Sequence, residues 1–263
     1  MITFFRKLRA RFISENKFSK YILYATGEIF LVVIGILIAL QVNNWNEQRK
    51  ASKKETVFFE NLLIDLQKDE EKLNHYEKFN TKRIEYLDTL LTYIRNPNLV
   101  MGIEKFGIYV EPLFYGVDPT NNNTTFESAK SSGVFNDFKN QAIIKDISKY
   151  YADFTLMETA FSSILRFIEN QFEPMMYTLP ESYMNEHTGD LVINEGDVQE
   201  FYDKVASIKD YRNITVDYQS LLKKPLMENY IIGDMGRTFN ALSKVKARQE
   251  LLLKLKERIS RYD

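Results

Sequence analysis

The sequence predicts a mainly α-helical protein in which an N-terminal transmembrane helix continues into an antiparallel helical bundle. Three observations predict it. The stretch 29–46 is apolar and carries no charge. Beyond it, apolar residues recur at intervals of three, four and seven, the period of a helix with one core-facing stripe. Clusters of Gly, Pro and Asn are confined mainly to 96–124 and 173–196, which leaves room for at most a small β element in those two loops.

The first element is the membrane segment, 21–45. From Tyr21 to Val42 it is about 22 residues, or about 33 Å as a helix, against a hydrocarbon core of about 30 Å. Tyr21 and Tyr24 at one end and Trp45 at the other sit where amphipathic rings favour the membrane interface. A soluble core helix is rarely apolar on all sides for so long. A cleaved signal peptide would show small residues before a cleavage point, and the sequence ALQVNNW has no such pattern. One carboxylate, Glu28, interrupts the run. Ala25, Glu28, Val32, Gly35 and Ala39 are spaced by three and four and form one stripe, and Gly35 with Ala39 is a small-xxx-small pair that lets helices approach closely. This stripe is the expected packing face for self-association or for another membrane helix.

Residues 1–20 precede the anchor. Ile2, Phe5, Leu8 and Phe12 alternate with Arg6, Lys7, Arg9 and Arg11, the pattern of a basic amphipathic segment lying on an anionic leaflet. Six Lys or Arg precede the span, and Arg49, Lys50, Lys53 and Lys54 follow it. That bias predicts a cytoplasmic N-terminus, with residues 46–263 as a soluble helical domain on the far side.

The helical pattern resumes without Pro or Gly. Phe59, Leu62, Leu66, Leu73, Tyr76, Ile84, Leu87, Leu91 and Ile94 form a stripe with one slip between Tyr76 and Ile84, and Asn96-Pro97-Asn98 ends it. Asp69 and Asn80 fall at or near the stripe as register-setting or solvated positions. In 96–124, FGIYV and PLFYG have the composition of short strands, and the long excursion is a candidate interaction surface. Thr124-Thr125-Phe126-Glu127 has capping-box spacing, and Gly133 closes the short helix that follows. Asn136 or Asp137 is expected to cap a long helix to about Phe172, with Ile144, Ile147, Tyr151, Phe154, Phe161, Leu165, Ile168 and Phe172 as its stripe. A strand at Leu191–Ile193 and a helix at Asp197–Ser207 follow. The last helix is expected over Val216–Arg261, kinked at Pro225 and Gly233, with Ile232, Met235, Phe239, Leu242, Val245, Leu252 and Ile259 facing inward.

Composition narrows the function. Lys and Arg number 35 against 36 Asp and Glu, a net charge of -1, so the basic excess of a nucleic-acid binder is missing. Cysteine is absent, which excludes disulfides and thiolate chemistry. The 19 Phe and 16 Tyr fit a core rich in rings. The two histidines, His75 and His187, belong to no metal-ligand motif. Gly102 and Gly107 have the spacing of a phosphate loop, but Ile108 and Tyr109 stand where Lys and Ser or Thr are required. Glu158 is the best candidate for an inward acid, and Asp88-Thr89-Leu90 has the form of an O-glycosylation tripeptide. No catalytic, cofactor or metal site is predicted. The expected partners are membrane lipid and a protein partner or second copy, with a small-ligand sensor as the alternative.

The run GEIFLVVIGILIALQVNNWNEQRK at 27–50, with SENKFSKYILYA before it, resembles the opening block of an uncharacterised bacterial family of small single-pass membrane proteins containing a domain of unknown function. Gly27, Glu28, Gln41, Asn43, Asn44 and Trp45 carry that resemblance. TTFESAKSSG at 124–133 is similar to a weaker motif of the same family. The resemblance implies a bacterial envelope setting, with the domain in the periplasm, and implies no known activity.

Overall fold

A computed structural model describes residues 18–176, 204, 207–209, 211–212 and 217–261, with side chains from Ile22 onward. The protein is mainly α-helical, with no strand among the described residues. Helix α1 runs over Phe18–Arg95, 78 residues, and α2 over Ile103–Val110, followed by a 3-10 turn at Glu111–Phe114. Then come α3 (Thr124–Ser132), a 3-10 turn (Val134–Asp137), α4 (Gln141–Ala152) and α5 (Phe154–Phe167). A π-turn at Ile168–Phe172 leads into α6 (Glu173–Met176). The chain closes with α7 (Tyr218–Leu222) and α8 (Pro225–Ser260). The basic segment before residue 18, His187, the strand at Leu191–Ile193 and most of the helix expected at Asp197–Ser207 lie outside the described residues.

The chain divides into two compact units. The first comprises the chain up to Phe58 together with Gly133–Lys139. In it, Phe58 meets Phe135 edge-on at 5.3 Å and Phe138 at 5.4 Å, and the Lys139 N–H donates to the buried Glu55 carboxylate at 3.2 Å. Gly133 enters this segment at φ 74, a left-handed conformation that glycine adopts without a Cβ penalty, so it ends α3 as expected.

The second unit comprises Phe59–Ser132 and Asn140 onward. Its frame is the later part of α1 and α8. Along α1 the buried core row is Phe59, Leu62, Leu66, Asp69, Leu73, Tyr76, Asn80, Arg83, Leu87 and Leu90, an unbroken alternation of three and four, with Phe79 and Tyr86 buried beside it. The slip expected after Tyr76 is therefore absent: Asn80 and Arg83 hold the core positions, and Ile84, Leu91 and Ile94 stand only half-buried beside them. The same correction applies to α8. Its buried row is Met227, Ile231, Asp234, Thr238, Ala241, Val245, Arg248, Leu252, Leu255 and Ile259, while Ile232 and Phe239 are 44% and 53% exposed. In both helices the apolar stripe drifts off the true core face where polar residues occupy it.

Both rows keep a strict seven-residue repeat, which favours long contact at a shallow angle between helices. The flanks carry a ladder of polar contacts from α8 to α1: Lys256 to Glu70 at 2.7 Å, Gln249 to Glu77 at 2.9 Å, and Arg95 to Glu228 at 2.7 Å. Exposed pairs of this kind each contribute about 1 kcal/mol or less, so the core row carries most of the stability.

The excursion 96–124 contains helix and 3-10 turn where strands were expected, because FGIYV buries Phe106 and Val110 one helical turn apart on one face. Much of it packs inward: Met101, Phe106, Leu113 and Val117 are buried, so it builds core as well as surface. Helix α3 starts at Thr124, with the Glu127 N–H bonded to the Asn123 carbonyl, so the capping box does not form. Asp65 of α1 instead accepts from the Thr125 N–H at 3.1 Å. The long helix expected to 172 is two helices. Asn140, not Asn136 or Asp137, caps α4 by accepting from the Ile143 N–H at 3.2 Å, and the chain breaks at Asp153 before α5. Pro225 likewise begins α8 rather than kinking a longer helix, since its missing N–H costs nothing at a first turn.

Gly233 passes against α5. A Cβ there meets Phe167 Cζ at 2.7 Å. The Phe167 ring is held by a stacked Tyr230 at 5.0 Å and by the Arg237 guanidinium at 3.8 Å, so it has little freedom to retreat. Overpacking costs about 1–3 kcal/mol, and the helical preference for alanine returns about 1 kcal/mol. Gly233→Ala is expected to destabilise the full-length protein by about 1 kcal/mol in thermal unfolding, whereas Gly236→Ala, with open space around its Cβ, stabilises it by roughly the propensity difference.

Candidate functional site

Two buried polar clusters join the elements of the second unit. The first centres on Arg83 of α1, whose side chain is fully buried opposite a 1% exposed Asp234 of α8. Its guanidinium donates from Nε to Asp234 Oδ1 at 3.0 Å and from Nη2 to Oδ2 at 2.6 Å, a bidentate pair. The remaining N–H groups reach the carbonyls of Leu113 at 3.1 Å, Pro112 at 3.4 Å and Tyr115 at 2.7 Å. All five donors of the fork are thus engaged. Asp234 also accepts from the Tyr230 hydroxyl at 2.9 Å and the Thr238 hydroxyl at 3.0 Å. Burial alone lowers the affinity of Arg83 for its proton, but the charge and hydrogen bonds of Asp234, with Tyr230, together outweigh it and hold the guanidinium above its ordinary range. Burial and the same carboxylate push the Tyr230 hydroxyl well above its own.

The second cluster centres on Asp69, 2% exposed. Asp69 Oδ1 accepts from the Asn122 N–H at 2.7 Å and its Nδ2 at 2.9 Å, and Oδ2 accepts from the Tyr150 hydroxyl at 2.9 Å. Arg248 of α8 completes it, with Nη2 at 3.7 Å from Asp69 Oδ2, Nη1 donating to the Tyr150 carbonyl at 2.7 Å, and its guanidinium 3.8 Å over the Tyr150 ring. Tyr76 and Tyr151 staple the same loop: the Thr120 N–H donates to the Tyr76 hydroxyl at 3.1 Å, and the Tyr151 hydroxyl donates to the Asn122 carbonyl at 3.0 Å. Burial raises the Asp69 carboxyl above its ordinary value, opposed by the Asn122 N–H, the Tyr150 hydroxyl and the Arg248 charge. Burial likewise raises the Tyr150 and Tyr151 hydroxyls.

Asp69 pairs with Arg248 and Arg83 with Asp234, fourteen residues apart on each helix and in reversed order. The pairs therefore register α1 and α8 as antiparallel neighbours. A parallel pairing in the same heptad frame would set Asp69 against Asp234 and Arg83 against Arg248, and like charges so buried are strongly unfavourable.

Of the residues singled out by sequence, Asp69 and Asn80 are core positions; the Asn80 amide bonds the Tyr76 carbonyl at 2.7 Å. Glu158 is only half-buried, so it is not the inward acid; Glu55, Asp69, Glu111 and Asp234 are buried. Thr89 of the expected tripeptide lies within α1 with its hydroxyl bonded to the Glu85 carbonyl at 2.9 Å. Arg83, Asp234, Thr238 and Arg248 escape a search for apolar stripes. The signal that finds them is the seven-residue frame itself, extended through polar residues. On the membrane segment, Tyr24, Ala25 and Glu28 are half-buried, while Val32, Gly35, Ala39 and Trp45 are exposed; the Tyr21 side chain lies outside the described residues.

The window of highest hydropathy in α1 averages 2.4 over 18 residues, none of it buried, so this helix is long and apolar enough to cross a membrane. A family model described as a family of unknown function, DUF6090, matches residues 28–161. The chain belongs to the DUF6090 family. No curated protein and no solved structure matches it. The matched stretch takes in Asp69, Arg83 and Asn122, but not their α8 partners Asp234 and Arg248.

Arg83→Met is expected to cost the DUF6090 member about 3–5 kcal/mol, because it strands the Asp234 carboxylate in the core. The double variant Arg83→Met/Asp234→Leu loses less than the sum of the single variants, by about 1–3 kcal/mol. Denaturant unfolding of the four full-length proteins in micelles measures that coupling; additivity within error rejects it. The Asp69 carboxyl, raised above its value of 3.8 in the free residue, binds its proton more tightly folded than unfolded. Its contribution is present below about pH 4 and falls as pH rises through the folded value. Relative to Asp69→Asn, the native protein's melting midpoint therefore declines from about pH 4 toward neutrality, in a paired thermal series.

Proposed function

We propose that this DUF6090 member is a single-pass, membrane-anchored interaction or scaffold module of the bacterial envelope rather than an enzyme. The observation that carries the reading is the exposed apolar run of α1, continuous in one helix with the heptad row that builds the second unit. Exposing Ile29, Phe30, Leu31, Ile36 and Leu37 to water at 55–69% of their surface is unfavourable, and lipid tails relieve it. Two of the buried acids, Asp69 and Asp234, support the same reading. Each is committed to holding helices and loop together, and neither is left to move a proton for a substrate.

In this reading the N-terminus lies in the cytoplasm, the anchor crosses the inner membrane and the domain stands in the periplasm, following the bias of Lys and Arg before the span. The stripe Ala25, Glu28, Val32, Gly35 and Ala39 offers a close-packing face to a second copy or to another membrane helix.

Expressed at native level, the full-length chain is expected to pellet with membranes, to resist carbonate washing and to enter solution only with detergent. A C-terminal reporter active only in the periplasm is expected to report activity. Purification in mild detergent is expected to return a species larger than the monomer. Recovery in the detergent-free supernatant rejects the anchor, and a lone monomer rejects the scaffold role.

A further inference from the structure

We propose that the flank formed jointly by α1 and α8 in the second unit is a docking face for a second copy of this chain. The proposal rests on the interaction-module reading above and names the surface such a module uses.

Polar contacts between the two helices trace this flank. Lys256 reaches Gln67 and Glu70, Gln249 reaches Asn74 and Glu77, Lys246 pairs with Glu77 at 3.8 Å, and Arg95 pairs with Glu228 at 2.7 Å. On α8 these residues fall on one row in steps of three and four, and between Glu228 and Lys246 the row runs through Ile232, Met235, Phe239 and Leu242. On α1 the matching row from Glu77 to Arg95 runs through Thr81, Ile84, Asp88 and Leu91. The middle of the flank is therefore mainly apolar, and its two ends are charged. Ile232 and Phe239 are exposed, Ile84, Leu91 and Met235 are half-buried, and Thr81 and Asp88 are the exposed polar members. An apolar patch with a polar rim has the anatomy of a protein–protein contact.

The rim charges select the occupant. At one end α1 carries the cation, Arg95, and α8 the anion, Glu228; at the other α1 carries the anion, Glu77, and α8 the cation, Lys246. A face charged in this way is complementary to itself. A second copy turned over about an axis along the helices lays its α8 on α1, and its Glu228 and Lys246 meet Arg95 and Glu77. Turned over about an axis across the helices, it lays α1 on α1 and α8 on α8, so Arg95 meets Glu77 and Glu228 meets Lys246. Either two-fold sets opposite charges together at both ends and apolar middle on apolar middle, as a contact between identical surfaces requires. Asp88 makes that contact reversible, because its carboxylate gives up water when the face is covered.

The test uses the full-length chain in mild detergent, prepared as donor-labelled and acceptor-labelled halves. The dimer dissociation constant is read from energy transfer on dilution, and the mass from native mass spectrometry. Phe239→Asp is expected to raise that constant at least about tenfold, because it sets a charge in the centre of the contact. Asp88→Leu is expected to lower it at least about threefold, an outcome that loss of folding cannot imitate. Leu156→Asp on α5, an apolar residue as exposed as Phe239 but off the flank, is expected to change it less than about twofold. All three variants are expected to keep the native melting midpoint within about 2 °C. An unchanged constant in Asp88→Leu, or in folded Phe239→Asp, overturns the face. A native oligomer that Gly35→Ile dissociates and Phe239→Asp does not overturns the face and leaves the scaffold reading standing, whereas a native chain that is always a monomer rejects that reading itself.

Discussion

The second unit is organised around opposite charges placed inside a hydrophobic seam. Asp69 with Arg248 and Arg83 with Asp234 occupy heptad core positions that leucine or isoleucine fill elsewhere on the same two helices. Removing such charges from water costs several kcal/mol per ion. The structure offsets that cost by geometry: a bidentate fork, three loop carbonyls and two hydroxyls surround the Arg83–Asp234 pair. What the pairs contribute is register. A seam of apolar residues alone tolerates a shift by one heptad at modest cost, whereas two buried pairs fourteen residues apart are satisfied together in one alignment.

The same clusters order the excursion between α1 and α3. Three carbonyls at Pro112, Leu113 and Tyr115 end on one guanidinium, and the backbone of Asn122 ends on the Asp69 carboxylate. A connection of this length would otherwise leave buried backbone groups without partners. Aromatic packing continues from there: Phe172, at the close of the π-turn, lies 4.7 Å from Phe114 and 4.6 Å from Tyr230. The π-turn itself bonds the Glu173 N–H to the Ile168 carbonyl, one residue before Pro174, which has no N–H to continue the regular ladder. Core, loop and charge pairs are thus one connected arrangement.

The proposed role places chemistry at a surface: an apolar helix face for lipid or another helix. That face is a property of the first unit, where Phe58 packs against Phe135 and Phe138.

Several features were legible from the order of residues. The mainly helical class, the membrane-length run, the glycine stop at Gly133 and the seven-residue repeats are local properties, set by side-chain period and backbone preference over a few turns. Strands over FGIYV and PLFYG, one long helix through Asp153, and an inward Ile232 and Phe239 on α8 are what the structure overturns, because short apolar runs fit either period and a stripe search skips polar residues; Leu242, Val245, Leu252 and Ile259 are buried as expected. Asp234, Arg83 and Arg248 look like surface residues until a partner helix brings an opposite charge to each. Whether a charge can be buried depends on what lies across from it. That is a relation between segments some 150 residues apart, and only the assembled chain supplies it.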